Sequence, residues 1–322
     1  MRIVAIRLAR FGDLALLLPA LSLLKARLPD SHLTLLTDHR WAPLAAMCPA
    51  IDEVFPIDRI AMRDGSYVRA LVGIFHFLRD LRRKKFDVAI DFHGFRETNL
   101  IAWRSGAARR LALKRVDQSS LSFCFNLPPV VEDKQLHVSE MFRRVVDAFV
   151  PQPSSPDVGP SLIIPADSSR WATANAPASP YAVLYVDAPV KERLWPIDRF
   201  IALRGHLKES LGMSAVFVTG GRNLQLPGEA PVFSNLTIPQ LAALIAGARI
   251  LVSNDTGPMH LGPALGVPTV GIFSVGFPIH FRPTGVADTY VQGNPVETVT
   301  VRDVIDAVER TVAASARLHP QY

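Results

Sequence analysis

The chain has 322 residues, 49% hydrophobic and 20% charged, with 35 Lys and Arg against 29 Asp and Glu. That length exceeds one average domain and suits two, and the apolar share fills two cores, which excludes a disordered chain or a disulfide miniprotein. No stretch reaches the ~18 uninterrupted apolar residues of a membrane span, so the formal net charge of +6 points to anionic partners such as nucleotides, phosphorylated lipids or a membrane face.

Along the chain, residues 3–6 read as a short buried strand and Gly12-Asp13 as the turn after it. Residues 14–28 read as a helix that Pro19 starts or kinks. Arg2, Arg7 and Arg10 ahead of the apolar run 15–21 imitate a secretory signal. The strand, the interruption at Gly12-Asp13 and the closing Lys25 and Arg27 favour a folded N-terminus instead. A strand over 32–36, a short helix over 41–47 and a strand edge over 53–56 follow. The spacing of Leu71, Ile74, Phe75, Leu78 and Leu81 predicts a helix over 71–84. Residues 86–91 form a strand that turns at Phe92-His93-Gly94 into a helix holding Leu100, Ile101 and Trp103.

Prolines at 151, 153, 156, 160, 165, 177 and 180, among many serines, mark a linker, interrupted by 161–164 and by a short helix near 168–174. The second half repeats the pattern, with strands over 181–186, 215–219, 250–252 and 269–273 and helices over 196–211, 238–246 and 301–314. This alternation is the pattern of an α/β, doubly wound parallel sheet, occurring twice. The expected organisation is therefore a domain over 1–155, a Pro/Ser-rich linker over 156–180 and a domain over 181–322. The last helix has the option of packing back on the first domain. A cleft between two such domains is where a ligand is expected.

The most informative stretch is Ser253-Asn254-Asp255-Thr256-Gly257-Pro258-Met259-His260-Leu261, directly after the strand over 250–252. A helix is expected to begin near Pro258 and continue through Gly262, Ala264, Leu265 and Gly266. Such a junction aims free N–H groups and the positive end of a helix dipole at one spot, which suits phosphate. Asp255 adds an acceptor, Thr256 a hydroxyl and His260 a titratable ring. Capping alone needs one of these residues and leaves the others unexplained.

Gly12-Asp13 lies at the carboxyl end of the first strand, where Asp13 suits either a general base or a helix cap. Lys191 and Arg193, with Pro196 at a helix start, can neutralise a diphosphate or belong to a solvated loop. Thr219-Gly220-Gly221 suits a base or ribose contact, or a plain helix-entry turn. The run 79–85 reads as cations at a helix end. Arg104, Arg109, Arg110, Lys114 and Arg115 suit an anionic acceptor or a solvated face, and His93 a packed ring or a cleft residue. The absence of GxGxxG, GxxxxGK[ST] and an Asp-x-Asp pair argues against a dinucleotide oxidoreductase, a P-loop enzyme and a metal-dependent sugar transferase. Nucleic acid is not expected, because the basic residues are not interleaved with exposed aromatics. Cys48 and Cys124 form neither a disulfide framework nor a metal spacing, and read as buried hydrophobes of a protein in a reducing cytoplasm.

In this order the pieces resemble the ADP-heptose:lipopolysaccharide heptosyltransferases, glycosyltransferase family 9. Residues 1–7 through Gly12-Asp13-Leu14 and Pro19-Ala20-Leu21 resemble the family's first strand and Gly-Asp turn. Asp91-Phe92-His93-Gly94 is similar to its Asp-Leu-Gln-Gly segment, and Arg193-Leu194-Trp195-Pro196 to Lys-x-Trp-Pro. The stretch 254–261 matches its most specific motif, and the resemblance runs from Met1 to about Phe273. It implies a GT-B fold, two Rossmann-like domains facing a cleft, and an inverting, metal-independent transfer of heptose from ADP-heptose to the lipopolysaccharide inner core. By the same resemblance Asp13 is the general base, and Arg193, Thr256, Gly257 and Met259 meet the diphosphate; Lys191, Thr219 and Gly220 join this donor set on the junction reading above. Asp255 and His260 face its sugar or ribose, while Gly12, His93, Arg109 and Arg115 are candidates for the acceptor. No cofactor or metal is implied. The partners are a nucleotide-sugar donor, an anionic glycolipid acceptor and the inner face of the cytoplasmic membrane, met peripherally.

Three departures stand out. Arg193 replaces Lys, Ala9-Arg10-Phe11 lacks a Ser pair, and 274–280 replaces a Thr-Asp-Pro segment. The alternatives are another nucleotide sugar, a protein acceptor, or a member that binds sugar nucleotides without catalysis.

Overall fold

The computed structural model describes residues 1–58, 67–152, 162–221 and 231–318. The chain divides into two compact units, Met1–Ser161 and Leu162–Tyr322. Pro153, Pro156, Pro160 and Ser161 of the expected linker region lie outside the described residues.

The first unit contains β1 (Arg2–Arg7), β2 (His32–Asp38), β3 (Glu53–Ile57), β4 (Val88–Asp91), β5 (Arg109–Lys114) and β6 (Val130–Val131). All pair in parallel, in the order β3-β2-β1-β4-β5-β6. The central β1 and β4 are buried along almost their whole length, with apolar interiors closed by Arg7 and Asp91, because helices cover both faces of a parallel sheet. Its helices are α1 (Phe11–Ala15), α2 (Leu18–Arg27), α3 (Ala42–Ala46), α4 (Tyr67–Arg83), α5 (Arg96–Arg104) and α6 (Val138–Phe149). The single helix expected over 14–28 is therefore two. Pro19 falls in the first turn of α2, where its missing N–H costs no helical bond. Cys48 and Cys124 are buried and free, as expected.

The second unit contains α7 (Ala166–Asn175), β7 (Tyr181–Tyr185), α8 (Ile197–Leu211), β8 (Ser214–Thr219), β9 (Val232–Ser234), α9 (Ile238–Ala246) and β10 (Ile250–Asn254). It continues through α10 (Leu261–Ala264), β11 (Thr269–Phe273), α11 (Pro278–Phe281), β12 (Thr289–Gln292) and α12 (Val301–Leu318). The order β12-β11-β10-β7-β8-β9 repeats that of the first unit once the strands are counted from β7. The helix expected over 196–211 starts one residue later, and α9 has the predicted bounds. Thr237 and Gln240 close a reciprocal box around the first turn of α9, with Gln240 N donating to Thr237 Oγ1 at 3.3 Å and Thr237 N to Gln240 Oε1 at 3.0 Å. The last helix, α12, packs on α8 and on the β10–β12 face, burying Val304, Ala307 and Val308.

In each sheet the strand order reverses between two central strands, β1 with β4 and β7 with β10. The crevice beyond their carboxyl ends is where open α/β sheets bind ligands.

Asp288 ties the chain after α11 to the start of β11, accepting from Thr269 N at 2.9 Å and Gly285 N at 2.5 Å. Burial pushes its carboxyl up to about 6 against those two bonds. The folded chain thus holds this proton more tightly than the unfolded chain. The resulting stability is full below about pH 4 and is lost as pH rises through 6, by an amount on the order of 3 kcal/mol. Urea unfolding of the native chain and of Asp288→Asn should show their stability difference moving against the native chain between pH 4 and 7.

Candidate functional site

In the first unit the candidate residues gather where β1 and β4 end. Arg7, the last residue of β1, is buried, and its Nη1 donates to Phe92 O at 2.7 Å just beyond β4. Its Nη2 donates to Asp13 Oδ1 at 2.8 Å, and the guanidinium lies 4.9 Å from the centre of the Phe142 ring. Burial pushes Arg7 below the usual arginine value, and Asp13 works against that push. Asp13 occupies the first turn of α1, whose N-cap is Arg10, so it is not the cap. Its side chain is 25% exposed, which leaves a carboxylate fixed at one oxygen and reachable from solvent. Gly12 beside it is buried.

Asp91 shapes the turn after β4. Its Oδ1 accepts from His93 N at 2.9 Å and Gly94 N at 3.0 Å, and its Oδ2 from Asn99 Nδ2 at 2.8 Å. Burial pushes this carboxyl up while those bonds oppose it. Gly94 has φ +77°, and a Cβ there would lie 2.4 Å from Leu113 O, so glycine is required. His93 is half-buried with its ring 4.5 Å from that of Phe95, and its carbonyl accepts from Arg115 Nε at 2.9 Å. Arg115 also pairs with Glu132 at 3.1 Å.

Arg109 does not join this group. It pairs with Val88, the first residue of β4, so it stands at the amino edge of the sheet with its guanidinium 4.6 Å from the centre of the Phe149 ring. In a parallel sheet that edge is opposite the ligand side, and Arg109 is withdrawn as an acceptor residue.

In the second unit Asn254 closes β10 fully buried. Its Nδ2 donates to Val186 O at 3.0 Å, and its Oδ1 accepts from Trp195 N at 3.2 Å. Trp195 Nε1 in turn donates to Val299 O at 2.8 Å, and Ser274 Oγ donates to Glu192 O. These bonds hold the short 3₁₀ turn Lys191–Arg193 against the ends of β10 and β11. Arg193 Nη1 lies 3.1 Å from Asp255 Oδ2, while Lys191 is exposed. Burial pushes the Asp255 carboxyl up, and the Arg193 charge pulls it down.

The helix expected to run on from Pro258 is instead a 3₁₀ turn, Gly257–His260, followed by the single α-turn α10. Pro263, inside the expected helix, lacks the N–H that a longer helix would use. Thr256 is half-buried and extended, with no side-chain capping bond, so a capping role does not account for its hydroxyl. Gly257 is also half-buried, and His260 is buried. The Met259 side chain faces the core, since a Cβ on Gly271 would lie 2.7 Å from its Sδ. Only the backbone of Met259 belongs to the turn. Thr219 is buried at the end of β8, and Gly220 N donates to Asp187 Oδ2 at 2.7 Å.

Sequence reasoning left Arg7, Asn254 and Gly276 out of the site. Their signals were a charged residue closing an apolar strand, an amide ahead of Asp255, and a glycine after a strand. Among the described residues no cluster of three or more His, Cys, Asp or Glu side chains is grouped to hold a metal ion, and no helix is long and apolar enough to cross a membrane.

Each of the two Rossmann-like units thus carries charged side chains at its switch point. The profile of Glycosyltransferase family 9 (heptosyltransferase) matches residues 74–304, and the chain belongs to that family. It is 24% identical over 287 residues to lipopolysaccharide heptosyltransferase 1 of Pseudomonas aeruginosa, covering 85% of this chain and 78% of the relative. A family 9 glycosyltransferase structure from Veillonella parvula superposes with a TM-score of 0.82 at 22% identity, covering 97% of both chains. The E. coli heptosyltransferase WaaC with ADP gives 0.79 at 19% identity, covering 97% of this chain and all of that one. WaaC with ADP-2-deoxy-2-fluoro heptose gives 0.75 at 19% identity, covering 96% and 99%. The fold they share is GT-B.

Gly276 leaves room for Asp255, because a Cβ there would lie 2.0 Å from Asp255 Oδ2. Gly276→Ala should separate Asp255 from Arg193 and destabilise the second unit by about 1–3 kcal/mol, read by denaturant unfolding and by the variant's crystal structure.

Proposed function

We propose that the chain is an inverting, metal-independent heptosyltransferase that moves heptose from ADP-heptose to the lipopolysaccharide inner core. The acceptor is lipid A–Kdo or a heptosylated form of it, and the enzyme works as a cytoplasmic protein peripheral to the inner face of the membrane. The observation that carries this reading is the Asp13 carboxylate, held at one oxygen by buried Arg7 at a switch point of a family 9 chain. The name of the Pseudomonas relative supports the acceptor class, and the ADP-sugar bound to WaaC supports the donor class.

In this mechanism Asp13 takes the proton of the acceptor hydroxyl through the oxygen that Arg7 does not hold. The acceptor oxygen bonds to the anomeric carbon from the side opposite the diphosphate. The carbon–oxygen bond to the diphosphate breaks, and ADP leaves with the electron pair, which inverts the centre. Arg193 and Lys191 balance the charge that grows on the leaving diphosphate. The Thr256 hydroxyl and the Gly257 and Met259 backbone meet the phosphates, with Asp255 and His260 toward sugar or ribose. Thr219 and Gly220 border the nucleotide. Gly12, His93 and Arg115 face the anionic acceptor.

A second reading keeps the chemistry and changes the donor sugar or the acceptor. Val275, Phe277 and Ile279 stand 43%, 66% and 49% exposed around Gly276, beside Asp255, where the family resemblance leads to Thr-Asp-Pro. Product formation from a panel of nucleotide sugars separates the two readings.

Asp13→Ala should lower transfer by about 10²–10⁴-fold while ADP affinity stays within about twofold of the native value. Radiolabelled transfer to lipid A–Kdo acceptors and ADP calorimetry measure the two. Near-native turnover by the variant would remove Asp13 as the base, and loss of native turnover in EDTA would remove the metal-independent mechanism.

A further inference from the structure

Helices α4 and α5 pack side by side over one face of the first sheet, where Phe77, Leu78 and Ile101 meet the same buried cluster. Among the described residues, their other sides carry exposed apolar side chains. On α4, Leu71, Val72 and Phe75 are 51%, 49% and 64% exposed. On α5, Leu100 and Trp103 are 41% and 40% exposed, three residues apart and so on one side of the helix. Phe123 is 62% exposed, and its ring meets Trp103 edge to face at 6.0 Å. Large exposed apolar side chains on two neighbouring helices mark an interaction surface.

The charges around the patch identify what covers it. Arg79, Arg82 and Arg83 follow the apolar half of α4 and are exposed, with Asp80 the one acid among them. Arg104 ends α5 with its guanidinium 5.0 Å from the centre of the Trp103 ring. The Arg82 guanidinium lies near Gly106, just beyond α5, so the cations of the two helices form one border. Glu97, exposed at the start of α5, is the one acid on that helix. An aromatic and aliphatic centre with a cationic border at the far helix ends is complementary to a bilayer with anionic headgroups. Rings enter the acyl boundary while guanidinium groups stay at phosphate depth.

We infer that the outer face of α4 and α5 docks on an anionic phospholipid bilayer, with Phe75, Trp103 and Phe123 as its apolar anchors and Arg79, Arg83 and Arg104 as its headgroup contacts. This builds on the reading of the acceptor as a membrane glycolipid, and it adds which face of the protein meets the lipid.

The test is co-sedimentation of the full chain with vesicles of phosphatidylethanolamine and phosphatidylglycerol, against phosphatidylcholine vesicles, none containing an acceptor. The native chain should bind the anionic vesicles and release them as salt rises. Leu71→Ser with Phe75→Ser should lower the partition coefficient at least about tenfold. Arg79→Gln with Arg83→Gln should lower it about fivefold per charge and flatten the salt dependence. Thermal melting and ADP binding should be unchanged in both variants, because no substituted residue belongs to the core or the donor site. Absence of binding by the native chain overturns the inference, as does equal binding by the variants. A dimer seen by ultracentrifugation and lost in Leu71→Ser with Phe75→Ser also overturns it, by making a second copy the occupant. Transfer to a deacylated, water-soluble acceptor reports the proposed reaction separately, so either idea can fail without the other.

Discussion

In both units one buried polar side chain ties together the two central strands at the point where the strand order reverses. Arg7 at the end of β1 donates to Phe92 O beyond β4, and Asn254 at the end of β10 donates to Val186 O beyond β7. Beyond a switch point the chains diverge and the parallel ladder can no longer supply a donor. A buried carbonyl left there unsatisfied costs about 1–3 kcal/mol. A side chain that supplies the donor therefore fixes the mouth of the crevice as part of folding. Each of these side chains also holds the local site, Arg7 through Asp13 and Asn254 through the Trp195 backbone.

The two ties differ in what they require. Asn254 uses a neutral amide, with its nitrogen donating and its oxygen accepting, so its burial needs no countercharge. Arg7 places a charge in the interior, which is unfavourable unless the charge is paired and hydrogen-bonded. Asp13 provides the countercharge, Phe92 O a second acceptor, and the Phe142 ring face a third favourable contact. A lysine has one nitrogen and cannot span both acceptors in that planar geometry. The carboxylate proposed as base is thus also what makes the buried cation tolerable.

The central strands and both doubly wound sheets were legible because continuous apolar runs such as 3–6, 250–252 and 269–273 have one plausible place, the middle of a covered sheet. The edges were not. β6 and β9 have two and three residues, too few for any periodicity, and β5 carries charge at both ends around a three-residue buried centre. Missing β5 misplaced Arg109. Six residues separate it from Arg115, which in a strand is about 20 Å, enough to put one arginine at each edge of the sheet. The stretch 254–260 was legible as a candidate site because it carries more polar chemistry than capping needs. Which of its parts face outward was not, since Met259 offers a backbone to the turn and a side chain to the core.

The distribution of charge follows the same division of labour. Arg7, Arg115 and Arg193 all have acidic partners, Asp13, Glu132 and Asp255, so each switch point is close to neutral before a ligand arrives. An anion meeting Arg193 has to displace Asp255, and burial that already pushes Asp255 toward its neutral form lowers the cost of that exchange. The cations of α4 lie exposed at the surface, where Asp80 is outnumbered and the field extends into solvent over about a Debye length. Charges paired one to one at the switch points favour selectivity through exchange of partners, and the exposed, cation-rich surface of α4 and α5 favours capture at a distance. The surplus of positive charge in the composition thus reports a surface property, whereas the chemistry rests on charges that cancel in the total.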